Sequence, residues 1–256
     1  MPVHEAVLIL LAGVWAGGIN TVVGSGTLIT FPTLLAFGIP PVTANVSNTI
    51  GLVPGSVSGA IGYRRELVGQ RSRLLRLAVA SSIGALVGAL LLLTLPAGAF
   101  TAIVPGLVVL GLLTVLFQPQ ISRWTVRRAE ASGSVGTGPH GARWLWPAIL
   151  ATGVYGGYFG AAQGVLLLAI MGVGLTETMQ RTNAAKNVLA ATANAVSGIV
   201  FAVVADVDWL VVLLIAVGAT IGGQIGASVG RKLSPVALRV TILVVGTGAL
   251  LAFLLR

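Results

Sequence analysis

Gly13-Val14-Trp15-Ala16-Gly17, running on to Gly24, and Gly153-Val154-Tyr155-Gly156-Gly157, running on to Gly164, are two versions of one stretch. Outward from them, Val57-Ser58-Gly59 returns as Val196-Ser197-Gly198, and Asn48 falls opposite Asn187. Ile83-Gly84 with Gly88-Ala89 returns as Ile221-Gly222 with Gly226-Ala227. In an apolar chain, short hydrophobic segments interrupted by glycine and present twice point to a membrane transporter built from two repeats.

Composition supports that class. The 256 residues are 56% hydrophobic and 8% charged, with a mean hydropathy of +1.00; a soluble domain carries roughly 25% charged residues. Cysteine is absent, which removes disulfides, thiolate metal sites and cysteine nucleophiles. The two histidines, His4 and His140, lie outside the apolar segments. No HExxH motif occurs, and no phosphate loop of the Walker type. An enzyme or an ATP-driven pump within this chain is not expected, and no cofactor or metal is implied.

The net charge of +9 and pI near 11.5 do not point to nucleic acid, because the arginines sit in short connectors between apolar segments. Arg64, Arg65, Arg71, Arg73 and Arg76 form one cluster; Arg123, Arg127, Arg128 and Arg143 form another. A positive-inside bias produces such clusters, and anionic lipid headgroups are their expected partners. No basic stretch precedes the first apolar run, so a cleaved signal peptide is not expected.

A helix needs about 20 apolar residues to cross the hydrocarbon core. Val42 to Tyr63, Leu74 to Leu95, Phe100 to Phe117, Thr182 to Ala205, Trp209 to Val229 and Val236 to Leu255 qualify. Ala6 to Ile19 and Thr27 to Phe37 are shorter runs around Asn20-Thr21-Val22-Val23-Gly24-Ser25-Gly26. Leu145 to Phe159 and Val165 to Val173 repeat the pattern around Gly160-Ala161-Ala162-Gln163-Gly164. Each pair is a re-entrant hairpin of half-helices or two short tilted spans. Either way it returns the chain to its starting side, so both arginine clusters can face the cytoplasm, together with Arg231, Lys232 and Arg239. Asp206-Val207-Asp208 then lies outside, as does the N-terminus. Trp144, Trp146 and Trp209 mark span ends, as interfacial anchors do.

The expected fold is an all-α polytopic membrane protein of two inverted-topology repeats, each a broken helix pair followed by three longer transmembrane helices. Residues 1–117 form the first repeat and 145–256 the second. Residues 118–144, with Gly133, Gly136, Gly138, Pro139 and Gly141, form a cytoplasmic, basic and glycine-rich linker, in which His140 is a solvated loop residue.

The glycine-broken opening, Leu28-Ile29-Thr30-Phe31-Pro32-Thr33-Leu34-Leu35 with Gly38, Ala44-Asn45, Ser47-Asn48 and Arg181-Thr182-Asn183-Ala184-Ala185-Lys186-Asn187 together resemble the TauE/SafE family of membrane transporters. The likeness covers nearly the whole chain. It implies an inner-membrane permease exporting sulfite, sulfoacetate or a related organosulfonate.

Broken helices leave N–H groups unpaired at their N-terminal ends, where the helix dipole favours an anion. Asn20, Thr21, Ser25, Thr27 and Thr30 cluster at the first break and Gln163 at the second. The glycine pairs Gly84/Gly88 and Gly222/Gly226 read instead as close helix packing. On the long span of the second repeat, Asn183, Lys186, Asn187 and Asn194 share one face; Asn45, Asn48, Thr49 and Ser56 do so on the first. A charge at a membrane helix centre costs roughly 2.5–3.5 kcal/mol. Lys186 therefore either supplies the charge that binds an anionic substrate or snorkels to the interface. Glu177 and Arg181 read as an exposed intrahelical pair. Pro54 reads as a bend or hinge in the first long span. The expected function is a secondary transporter of a small anion working by alternating access through a central site. A passive anion channel and a non-transporting assembly subunit are the alternatives, and homo-oligomerisation stays open.

Overall fold

A computed structural model of the chain describes residues 1–120, 123, 127, 141–229 and 235–254. The expected linker residues Gly133, Gly136, Gly138, Pro139 and His140, and the expected third basic turn at Arg231 and Lys232, lie outside the described residues. The described residues form helices joined by turns and short connectors, without a strand. The helices are α1 (Val3–Val22), α2 (Thr27–Ala36), α3 (Pro41–Gly62), α4 (Arg71–Thr94), α5 (Ala97–Leu116), α6 (Leu145–Tyr158), α7 (Gln163–Gly174), α8 (Met179–Val204), α9 (Trp209–Val229) and α10 (Pro235–Leu254). Five of the described helices, α1, α4, α5, α8 and α9, are long and apolar enough to cross a membrane. The outward faces carry exposed Leu8, Trp15, Leu75, Val79, Ile199, Val203 and Leu213, while Asn45, Ser47, Asn48 and Lys186 are fully buried. That is the reverse of a soluble protein and the arrangement a lipid solvent selects.

The broken pairs are unequal. The short run marked at Ala6 to Ile19 belongs to a helix of 20 residues, whereas α6 has 14. Their partners α2 and α7 have 10 and 12 residues, about 15 and 18 Å of helix, well short of the roughly 30 Å hydrocarbon core.

Both breaks are made in the same way. The amides of Val23 and Gly24 fold back to the Ile19 carbonyl, and those of Phe159 and Gly160 to the Tyr155 carbonyl. The two glycines take positive φ, 90° and 74°, which only glycine adopts without strain. By geometry Gly24 therefore corresponds to Gly160, and not to Gly164 as the repeated sequence has it.

Packing crosses between the first five and the last five helices. α1 lies along α9 and α6 along α4, while α3 and α8 pack on each other between them. Small residues permit the approach: a Cβ on Gly218 would strike the Leu10 carbonyl and one on Gly84 the Leu150 carbonyl. Gly222 and Gly88 press in the same way on the carbonyls of Val14 and Val154. Gly84 thus corresponds to Gly218 and Gly88 to Gly222, one turn from the pairing read in the sequence. These contacts also align Gly18 with Tyr158, the last residue of α6. α1 continues through one more turn, Ile19 to Val22.

Glu177 is not an exposed intrahelical partner of Arg181. It precedes α8 and takes Arg73 of α4 at 2.6 Å and Arg181 at 2.5 Å, with all three side chains only partly exposed. Arg181 also donates to the Val68 carbonyl (3.1 Å), and Gln70 to the Arg181 carbonyl (3.3 Å). Burial works to raise the Glu177 pKa, but the hydrogen bonds and charges of Arg181 and Arg73 outweigh it and hold the carboxyl below its ordinary value. The network ties the α3–α4 connector to the start of α8.

Candidate functional site

The two breaks touch. The Gly164 amide donates to the Gly24 carbonyl at 2.9 Å, and a Cβ on either glycine would overlap the backbone of the other. Backbone of this kind needs internal partners within a bilayer. Here each break supplies one to the other.

The extra turn of α1 brings its last carbonyls under α8. Lys186, without solvent exposure, donates from Nζ to the carbonyls of Asn20 (2.8 Å) and Thr21 (3.0 Å). Asn183 and Asn187 also donate to the Thr21 carbonyl, at 3.2 and 3.3 Å. Lys186 therefore does not snorkel; its charge sits at the negative end of the α1 dipole and offsets it. An ammonium has three protons and a carbonyl oxygen two lone pairs. One Lys186 proton remains unassigned, and the Thr21 oxygen has more donors than it can fully satisfy. Asn20 reaches the Ser56 hydroxyl at 3.1 Å.

At the head of α2, Asn48 accepts from the Thr30 hydroxyl and donates to Thr27 Oγ1 at 3.3 Å. The amides of Ser25 and Gly26 here, and of Ala161 and Ala162 before α7, make no backbone hydrogen bond among the described residues. Five buried side-chain atoms around the breaks also lack a partner among the described residues: Thr21 Oγ1, Ser25 Oγ, Asn45 Oδ1, the Tyr158 hydroxyl and Asn183 Oδ1. Each costs free energy as it stands.

The second break is closed differently. Asn45 donates to the Tyr158 carbonyl at the end of α6 (3.0 Å), and the Tyr155 hydroxyl donates to the Ala161 carbonyl (2.5 Å). Phe159 packs edge-on against Phe31 with ring centroids 5.1 Å apart and against Phe100 at 6.1 Å, while Phe100 meets Tyr158 at 5.7 Å. Gln163 turns away from the first break, over Gly156 and toward the Thr152 carbonyl at 3.5 Å.

Of the residues marked in the sequence, Asn20, Thr21, Asn183, Lys186 and Asn187 meet at the end of α1, and Thr27 and Asn48 at the head of α2. Ser25 is buried between these groups in sequence, and Asn45 and Gln163 serve the second break. Tyr155, Tyr158 and the aromatic cluster escaped the sequence reading, because isolated aromatics in an apolar chain carry no pattern. Among the described residues, no cluster of histidine and carboxylate side chains fit to hold a metal ion occurs. Around the two breaks the arrangement brings together hydroxyls, side-chain amides, helix N-termini and the Lys186 side chain.

Residues 9–253 match the family model described as Sulfite exporter TauE/SafE. The chain is similar to the probable membrane transporter protein YfcA of Escherichia coli strain K12, 28% identical over 223 residues covering 85% of this chain and 79% of the relative. It is also similar to the probable membrane transporter protein ORF9 of Sinorhizobium sp., 29% identical over 88% of this chain and 82% of the relative. A probable membrane transporter protein of Haemophilus influenzae is 24% identical over 86% of this chain and 83% of its own. No solved structure matches. With nearly its full length matched by the family model, the chain belongs to the TauE/SafE sulfite exporter family.

Proposed function

We propose that the protein is a secondary transporter that exports a small anion, sulfite, sulfoacetate or a related organosulfonate, by alternating access of two inverted halves, residues 1–117 and 145–256, joined by a cytoplasmic linker at 118–144. The family and the printed names of the relatives support the transporter class. The reciprocal packing of α1 on α9 and α6 on α4 supports two equivalent halves. A broken pair and three spans in each half give an odd number of crossings, which inverts the second half if each pair is re-entrant or an even pair of spans. In the cell the protein sits in the inner membrane with its N-terminus outside and its arginine connectors on cytoplasmic headgroups.

The observation that carries this reading is the contact between Gly24 and Gly164, which brings two helix N-termini and a buried cation to one place. The substrate is held by Asn20, Thr21, Ser25, Thr27, Asn45, Asn48, Gln163, Asn183, Lys186 and Asn187. Because Lys186 offsets the negative end of α1, the positive head of α2 faces the anion without opposition. The test is a thermal-shift panel of sulfite, sulfate, sulfoacetate and taurine on purified protein, followed by counterflow in proteoliposomes. A bound anion raises apparent stability by about 2.7 kcal/mol at a hundredfold excess over its Kd. Saturable flux with counterflow is the expected result. Flux that neither saturates nor exchanges would mark a channel, and neither binding nor flux a non-transporting subunit.

A further inference from the structure

We propose that the Lys186 ammonium is the seat of a coupling proton, taken up and released once per transport cycle together with the anion. The inference rests on the transporter reading above and adds the coupling ion to it. Lys186 is wholly buried, and its hydrogen-bond partners are two backbone carbonyls with no formal charge. Among the described residues no carboxylate pairs with it. α7 has no titratable residue, and α3 has only Tyr63 at its end. α1 carries His4 and Glu5 at the end opposite Asn20. α6 carries Tyr155, bonded to the Ala161 carbonyl, and Tyr158. On α4, Arg71, Arg73 and Arg76 stand in the first turns, and Glu177 is taken up by Arg73 and Arg181.

A lysine without a carboxylate partner among the described residues takes its counter-charge from an arriving anion, to which the third N–H can donate. A cation that never titrates would have to make the return step bare in a low-dielectric interior, at high cost. Lysine has another course. Its N–H bond breaks, the electron pair stays on Nζ, and the proton passes to water in the compartment the site then faces, as the anion leaves. The neutral amine keeps two protons for the carbonyls of Asn20 and Thr21, so α1 stays seated while the site turns back and is protonated from the other side.

The test uses the full-length protein in proteoliposomes with an internal pH dye, the membrane potential clamped, and whichever anion of the panel the wild type carries. At one proton per monovalent anion the cycle is electroneutral, so export runs down the anion's own gradient, and each unit of an imposed pH gradient should drive about a tenfold accumulation on the alkaline side. Arginine keeps charge and donors but does not shed its proton. Lys186→Arg should therefore retain anion exchange at a reduced rate and lose pH-driven accumulation, and Lys186→Gln should lose both. Wild-type flux without proton movement overturns the proposal with no variant needed, and so does undiminished pH-driven accumulation by Lys186→Arg. Absence of saturable flux for every anion of the panel overturns the transporter reading, and this inference with it.

Discussion

At the first break a lysine and two asparagines close on the end of α1, whereas at the second an asparagine, a tyrosine hydroxyl and a set of aromatic rings close on α6. Both open alike, with two consecutive amides returning to one carbonyl and a glycine at positive φ, but α7 is then entered through Ala162 in the left-handed region (φ 58°) and α2 through Gly26 in the right-handed one (φ -58°). The difference that reaches Lys186 is a single turn, Ile19 to Val22, present in α1 and missing from α6. That turn carries the two carbonyls that Lys186 engages. One break carries an aromatic seal and the other a formal charge. Length, more than composition, separates the two roles.

The comparison breaks most readily at the backbone. Gly24→Ala forces a side chain onto a positive φ and into the backbone of Gly164, and should cost more than about 4–5 kcal/mol, the range reserved for severe lesions. Gly160→Ala carries the same φ penalty, about 1–2 kcal/mol, but meets only its own helix, with the Gly156 carbonyl at 3.0 Å. Thermal unfolding in detergent should rank the two variants in that order; equal losses would deny that the breaks brace each other.

A second pair sharpens the difference in charge. Asn45→Ala leaves the Tyr158 carbonyl without its side-chain donor and should cost about 1–3 kcal/mol. Lys186→Met also strips carbonyls of donors, but it relieves roughly 2.5–3.5 kcal/mol of charge burial, so its unfolding midpoint should stay closer to wild type than that of Asn45→Ala. Anion flux should rank the other way, with Lys186→Met at background. A Lys186→Met protein that is strongly destabilised yet still transports would reverse the roles assigned to the two ends.

The smallest effect lies at the rim. Since the native state holds the Glu177 carboxyl below its ordinary pKa of 4.5, the contribution of the Arg73–Glu177–Arg181 network is complete above that value and is lost as the pH falls through the lowered one. Partial exposure keeps it modest. Unfolding followed between neutral and acid pH should show a shallower acid limb in Glu177→Gln than in wild type; superimposable curves would remove the network from the stability of this face.

Much of this was legible in the residues. Glycines that return in order mark both breaks, and the polar faces of α3 and α8 follow from helical spacing. Two things were hidden. The repeat stays in register through Gly13 and Gly153 and slips by one turn afterwards, so that Gly24 was matched with the residue it touches, Gly164, instead of with its counterpart Gly160. A slip of one whole turn preserves every helix face and therefore leaves no trace in periodicity. The partners of Lys186 were hidden for another reason: they are backbone carbonyls, present at every position, and only the way a helix ends decides which of them are free. Arg73 likewise gave no sign of reaching across to Glu177, since a connector arginine is ordinary in a membrane protein.

The crossed packing of α1 with α9 and α6 with α4 has a consequence for biogenesis. α1 leaves the ribosome well before its main neighbour α9, with seven helices of the described residues between them. Until then its small-residue face, opened by Gly13 and Gly17, is left to lipid or to the insertion machinery. Neither half, expressed by itself, holds the surface against which its opening helix settles, so this packing matures only once both α1 and α9 have been made.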